Sequence, residues 1–115
     1  MLVALYLDEL GIYRHGSVDG QELLGSFLEE DIQSSIDSCD IVLQLLLDVE
    51  QGVREPFELT GNAHAVLMQP GKVSIEHLWL YPPVPPLELT AEQFRQALLE
   101  WRNFIATTPR SDISI

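Results

Sequence analysis

Apolar residues recur at Ile32, Ile36, Cys39, Leu43 and Leu46, in alternating four- and three-residue steps, and Leu47 widens the stripe. This spacing predicts one long helix over residues 26–51 with an apolar side that wants a partner surface. Ser26, with Glu29 three residues on, fits a capping box at its start, and Gly52 followed by Pro56 supplies the stop. The opposite side carries Glu30, Gln33, Asp37, Asp40, Gln44, Asp48 and Gln51. Between Phe27 and Gln51 there is no Lys or Arg to answer seven carboxylates, so the helix is anchored on one side and strongly negative on the other.

Before it, residues 2–7 form an apolar run of strand length, and residues 11–14 can return as a hairpin partner after the turn at Asp8 and Glu9. Turn formers fill residues 15–20, which leaves residues 21–24 as a short extended approach to the helix cap. After the helix, residues 57–60 alternate as a half-buried strand, Gly61-Asn62 suits a two-residue turn, and residues 63–68 return. Gln69-Pro70-Gly71-Lys72 makes a second turn and residues 73–80 a third strand. Two such turns put Leu59, His64 and His77 in one cross-strand row and Phe57, Val66 and Ile75 in the next. That face, completed by Met68, Val73 and Trp79, is expected to pack on the long helix. The other face ends in Leu67, Leu78 and Leu80, which is too apolar for open water and calls for the last helix or a second chain.

Tyr81-Pro82-Pro83-Val84-Pro85-Pro86 has to leave the sheet, because its prolines lack ladder donors, and reads as a stiff connector in preference to a recognition segment, since it lies between two well-signalled elements. Thr90 with Gln93 forms a second capping box, and Leu89 with Phe94 fits the flanking hydrophobic staple. Phe94, Ala97, Leu98, Trp101 and Ile105 share one side of a helix over residues 91–106, and residues 110–115 read as a loose tail. The fold class is therefore α+β, one domain over residues 1–115: an N-terminal strand or hairpin, a long acidic helix, a three-stranded antiparallel meander and a C-terminal helix.

Composition narrows the partners. With 46% hydrophobic residues and a net charge of -12, the chain is expected to fold and to carry a negative field. Eighteen acids against six bases argue against nucleic acid and anionic membranes, whose phosphates need clustered Lys and Arg, and point to a basic protein. The single cysteine, Cys39, lies on the apolar stripe, which excludes an internal disulfide and suits a reducing compartment. The first residues lack the basic start of a signal peptide, and no apolar run is long enough to span a bilayer, so a cytoplasmic location is expected.

Catalytic chemistry finds little to stand on. No serine sits in a Gly-x-Ser-x-Gly context and no glycine cluster leads into Gly-Lys-Ser or Gly-Lys-Thr, so no catalytic residue is assigned. Neighbouring imidazoles at His64 and His77 invite a metal, but Leu59 shares their row without a donor, and Cys39 or Glu22 would have to arrive through packing. They are read as core-edge histidines, with no metal and no cofactor expected.

From Gly20 to Ile105 the chain resembles the YacL-like family of small acidic bacterial proteins. The resemblance lies in Gly20-Gln21-Glu22-Leu23-Leu24-Gly25 ahead of an acidic helix, in Gly61 to Leu80 with its central turn, and in Trp101-Arg102-Asn103-Phe104. The proline connector departs from that pattern. The resemblance implies a compact α+β domain without an evident enzyme site and supplies no catalytic residue to carry over.

The function expected is binding without catalysis: an immunity or inhibitor protein that neutralises a basic partner such as a nuclease toxin, through Glu30, Asp37, Asp40 and Asp48. The alternative is a housekeeping protein that forms a homodimer through Leu67, Leu78 and Leu80 and the face around Trp101. A third reading is a small enzyme using a carboxylate or the histidine pair.

Overall fold

Two antiparallel sheets and three helices make up the computed structural model, which describes residues 4–16 and 22–108. Strands β1 (Ala4–Leu7) and β2 (Tyr13–Gly16) form the N-terminal hairpin. Asp8 shapes its turn, with Oδ1 accepting the N–H groups of Leu10 and Ile12 at 2.8 and 2.9 Å. The expected tail at residues 110–115 and most of the turn-rich stretch before the helix lie outside the described residues.

The long helix is interrupted. Helix α1 (Glu22–Phe27) already occupies the stretch expected to be an extended approach, and it passes into a wider turn at Leu28–Ile32, where the Gln33 N–H bonds the Leu28 carbonyl at 2.8 Å. This five-residue closure is π-helical. Gln33 then takes φ 59, which ends the run, and helix α2 (Ile36–Glu50) starts afresh with Ser35 as its cap, the Ser35 hydroxyl accepting the Ser38 N–H at 3.0 Å. Ser26 is thus not a cap: it lies inside α1 and donates to Glu30 Oε2 at 2.7 Å. The restart also rotates the apolar stripe. Cys39, Val42, Leu46 and Val49 are buried, whereas Leu43 is half-buried and Leu47 exposed. Gly52, at φ +74, ends α2 where expected.

The second sheet has four strands in the order β3 (Phe57–Thr60), β4 (His64–Gln69), β5 (Lys72–His77) and β6 (Leu87–Thr90). Gln69 faces Lys72 across the Pro70-Gly71 turn, which places His64 opposite His77 as the spacing required. The first connection is longer than a two-residue turn. Thr60 pairs with Ala65, so Leu59 lies beside Val66 and Phe57 beside Met68. A shift of two residues keeps every side chain on its own face, because side chains alternate with period two. The third strand stops at His77 rather than residue 80, the Leu78 N–H making a last bond to the Ala63 carbonyl at 2.8 Å. Past the exposed proline connector the chain returns as the unexpected fourth strand, β6, which runs straight into α3 (Ala91–Thr107). There the capping box forms as expected, with Thr90 Oγ1 accepting the Gln93 N–H at 3.0 Å and Gln93 Oε1 accepting the Thr90 N–H at 2.9 Å.

Val66, Met68, Val73, Ile75 and Leu89 on one sheet face form a single core with Leu24 and Phe27 of α1, the buried stripe of α2, and Phe94, Leu98 and Trp101 of α3. All three helices therefore cover the same face. The last helix does not cover the outer one, where Glu58, Ala65, Leu67, Ser74 and Glu76 line a shallow hollow of about 190 Å³. Among the described residues, no helix is long and apolar enough to cross a membrane.

Candidate functional site

The wide turn decides where two acidic side chains go. A regular helix through residues 26–51 would leave Glu30 on the outer stripe and carry Asp31 round the same cylinder. The extra residue at Leu28–Ile32 instead aims Asp31 at the loop between β3 and β4 and brings Glu30 beside the histidine pair. Asp31 Oδ1 accepts the Ala63 N–H at 2.9 Å, and Oδ2 lies 3.1 Å from His64 Nδ1. Gly61 makes room for it, since a Cβ at that position would stand 2.9 Å from both Asp31 Cγ and Oδ2. Two further bonds lock the corner: Trp101 Nε1–H donates to the Gln33 carbonyl at 2.7 Å, and the Gln33 side chain donates to the Glu30 carbonyl at 3.0 Å.

His64 is fully buried, edge-on to the Phe27 ring at 6.0 Å. Burial holds its imidazole below the ordinary value of 6.5, against the opposing charge and hydrogen bond of Asp31, so the ring is neutral at pH 7. A carboxylate can only accept, which assigns the ring proton to Nδ1 and leaves a bare lone pair on Nε2. That Nε2 has no hydrogen-bond partner among the described residues. Across from it stands His77, ring centroids 4.6 Å apart, whose Nδ1 accepts the Trp79 N–H at 3.1 Å. Glu30 Oε2 completes the group at 3.8 Å from His64 Nε2 and 3.7 Å from His77 Nε2. The three donor atoms lie within 4.8 Å of one another.

The four carboxylates expected to form one binding stripe are divided. Glu30 belongs to the histidine group, and Asp40 is held by Arg102 through two bonds of 2.6 and 3.2 Å. That tie keeps the Asp40 carboxyl below its ordinary value. Asp37 is exposed on α2, and Asp48 accepts a hydrogen bond from Gln44 at 2.9 Å. The leucines are divided as well: Leu67 lies in the outer hollow, while Leu80 lines a separate groove of about 440 Å³ with Leu23, Val84 and Pro86. Cys39 is core, its thiol pushed up to about 11 by burial and then by the Asp40 charge.

All five described bases are engaged within the chain. Arg14 pairs with Asp8 and Glu29, Lys72 with Glu88, Arg95 with Glu50 and Glu92, and Arg102 with Asp40. Arg54 lies 5.0 Å over the Phe57 ring. No ion pair with Lys or Arg reaches Glu58 or Glu76 among the described residues, and both are exposed on the rim of the outer hollow. Alternation along the strands places this pair on the outer face with Leu67, but the sequence reading gave it no binding role.

No protein-family model, no curated protein and no solved structure matches the chain.

Proposed function

We propose that the chain is a non-enzymatic binding protein that captures a basic protein, most concretely by neutralising a nuclease-type toxin as an immunity or inhibitor protein does. The observation that carries this reading is the uncovered sheet face, where Glu58 and Glu76 flank an apolar floor of Ala65 and Leu67 while the described bases are spent on internal partners. A Lys or Arg of the partner fits such a hollow in two parts. Its methylene stem lies on Leu67 and its charged head stands between the two carboxylates. A net charge of -12 adds long-range attraction that speeds the encounter. Asp37 and Asp48 of the original stripe extend the negative surface, whereas Asp40 and Glu30 already have partners of their own.

The test is capture from a lysate of the host at low salt, followed by elution in salt steps. Expected is one basic protein released at a defined step, retained more weakly by the Glu58→Gln/Glu76→Gln double variant, and carrying a nuclease activity that the wild-type chain suppresses. Retention that ignores both salt and the double variant would overturn the reading.

A homodimer is the second reading. It is favoured by the exposed Leu80 and Val84 that line the 440 Å³ groove. Apolar self-association keeps its strength as salt rises, so sizing at low and high ionic strength separates the two.

A further inference from the structure

We propose that Glu30, His64 and His77 bind a divalent transition-metal ion of the zinc type, with Asp31 as the carboxylate that orients His64. This site is independent of the outer sheet face and does not rest on the capture of a basic partner.

Four observations converge. Two imidazole nitrogens and one carboxylate oxygen are the ligand set of a three-protein-ligand zinc site with an open fourth position. The spacings of 3.7 and 3.8 Å around Glu30 Oε2 stand about 0.4 Å above the ~3.3 Å between ligands of a tetrahedral zinc ion, and the two ring nitrogens, within 4.8 Å of one another, have up to about 1.5 Å to close. His64 Nε2 is buried, carries its lone pair and has no hydrogen-bond partner among the described residues, while Asp31 holds the proton on the far nitrogen, the carboxylate–histidine arrangement that fixes a metal-binding tautomer. Finally, Glu30 and Asp31 together balance a dication, in a pocket where Asp31 is 5% exposed. Glu30, with its side chain 47% exposed, gives the ion its way in.

His77 sets the proton rearrangement required. Because its Nδ1 accepts the Trp79 N–H, the ring proton of the neutral imidazole sits on Nε2. Metal binding moves that proton to Nδ1 and opens the bond to Trp79, so the proton stays on the ring and no charge is lost from the protein. Trp79 lies past the end of β5 with its side chain exposed; its indole N–H stays on the Asn62 carbonyl at 2.9 Å while its backbone N–H is released to solvent.

The experiment is calorimetric titration of the full, chelator-treated chain with zinc chloride, with magnesium chloride as the comparison and thermal unfolding measured alongside. Expected is one saturable zinc site, a higher unfolding temperature with zinc, no response to magnesium, and a shift of the Trp79 amide resonance on binding. Glu30→Gln, at a half-exposed position, leaves the metal-free unfolding temperature in place and weakens zinc at least about tenfold. Asp31→Asn weakens it by about 10–100-fold, because an amide N–H aimed at Nδ1 forces the proton onto Nε2. Absence of a saturable site at micromolar zinc overturns the proposal. Binding of equal strength in Glu30→Gln does so too, since it would come from scattered surface carboxylates.

Discussion

Gly61→Ala tests whether the wide turn and the β3–β4 loop are built around Asp31. Gly61 is not in the left-handed region, so alanine is compatible with its backbone, and on that ground alone the change should stabilise by ~0.4–1 kcal/mol through the unfolded state. The added Cβ, however, would lie 2.9 Å from Asp31 Cγ and Oδ2 and 3.3 Å from its Cβ. Asp31 has no free direction to retreat, because its two oxygens hold the Ala63 N–H and His64 Nδ1. Stretching or losing one bond to a charged acceptor costs about 1.5–3 kcal/mol. The net expectation is a loss of about 1–2 kcal/mol, or roughly 3–10 °C in Tm for a chain of this size. Urea unfolding followed by circular dichroism measures it. The decisive comparison is the same substitution in an Asp31→Ala background, where both 2.9 Å contacts are gone and only the 3.3 Å contact with Cβ remains, so Gly61→Ala should lose most of its cost. An equal cost in both backgrounds would refute the argument, since the penalty would then belong to the loop and not to Asp31.

Trp101→Phe should lower stability by about 1–3 kcal/mol, because it removes the N–H that answers the Gln33 carbonyl and leaves space in the core; an unchanged urea midpoint would contradict this. Asp40 has a lower folded value than its ordinary 3.8, so the unfolded chain takes up that proton first as pH falls. Its tie to Arg102 therefore stabilises above about that pH and fades as pH drops through the folded value, and an NMR titration of Arg102→Gln should return the carboxyl to its ordinary range. With its thiol at about 11 and fully buried, Cys39 should resist thiol reagents at pH 8 until denaturant is added; rapid labelling of the native chain would refute its place in the core. Asp40→Asn should leave capture of a basic partner intact, in contrast to Glu58→Gln/Glu76→Gln, when both are run through the same salt steps.

Periodicity and local hydrogen bonding were legible in the sequence because they involve residues within one or two turns of each other. The Thr90–Gln93 box, the side of α3 bearing Phe94, Ala97, Leu98 and Trp101, the Pro70-Gly71 turn and the stop at Gly52 all follow from such short-range chemistry. So does the facing of His64 and His77, since a two-residue turn sets the register by counting. The sheet faces survived even where the β3–β4 register moved, because a two-residue slip conserves alternation.

The break at Gln33 had one local signal, the Ser34-Ser35 pair ahead of Ile36, which the continuous apolar stripe outweighed. Residues 26–51 read as one continuous amphipathic helix, and at Gln33, with φ of 59, local bonds to the Leu28 and Glu30 carbonyls are joined by one from the Trp101 indole 68 residues away. The wide turn, with Trp101 bonded at its end, takes Glu30 out of the acidic stripe and toward the histidines, and the packing of all three helices on one sheet face leaves Glu58, Leu67 and Glu76 open. The sequence by itself determined the α+β class, the negative charge and the histidine pair. Tertiary structure decided which carboxylate meets that pair and which carboxylates remain free, because both depend on where separate elements come to rest against one another.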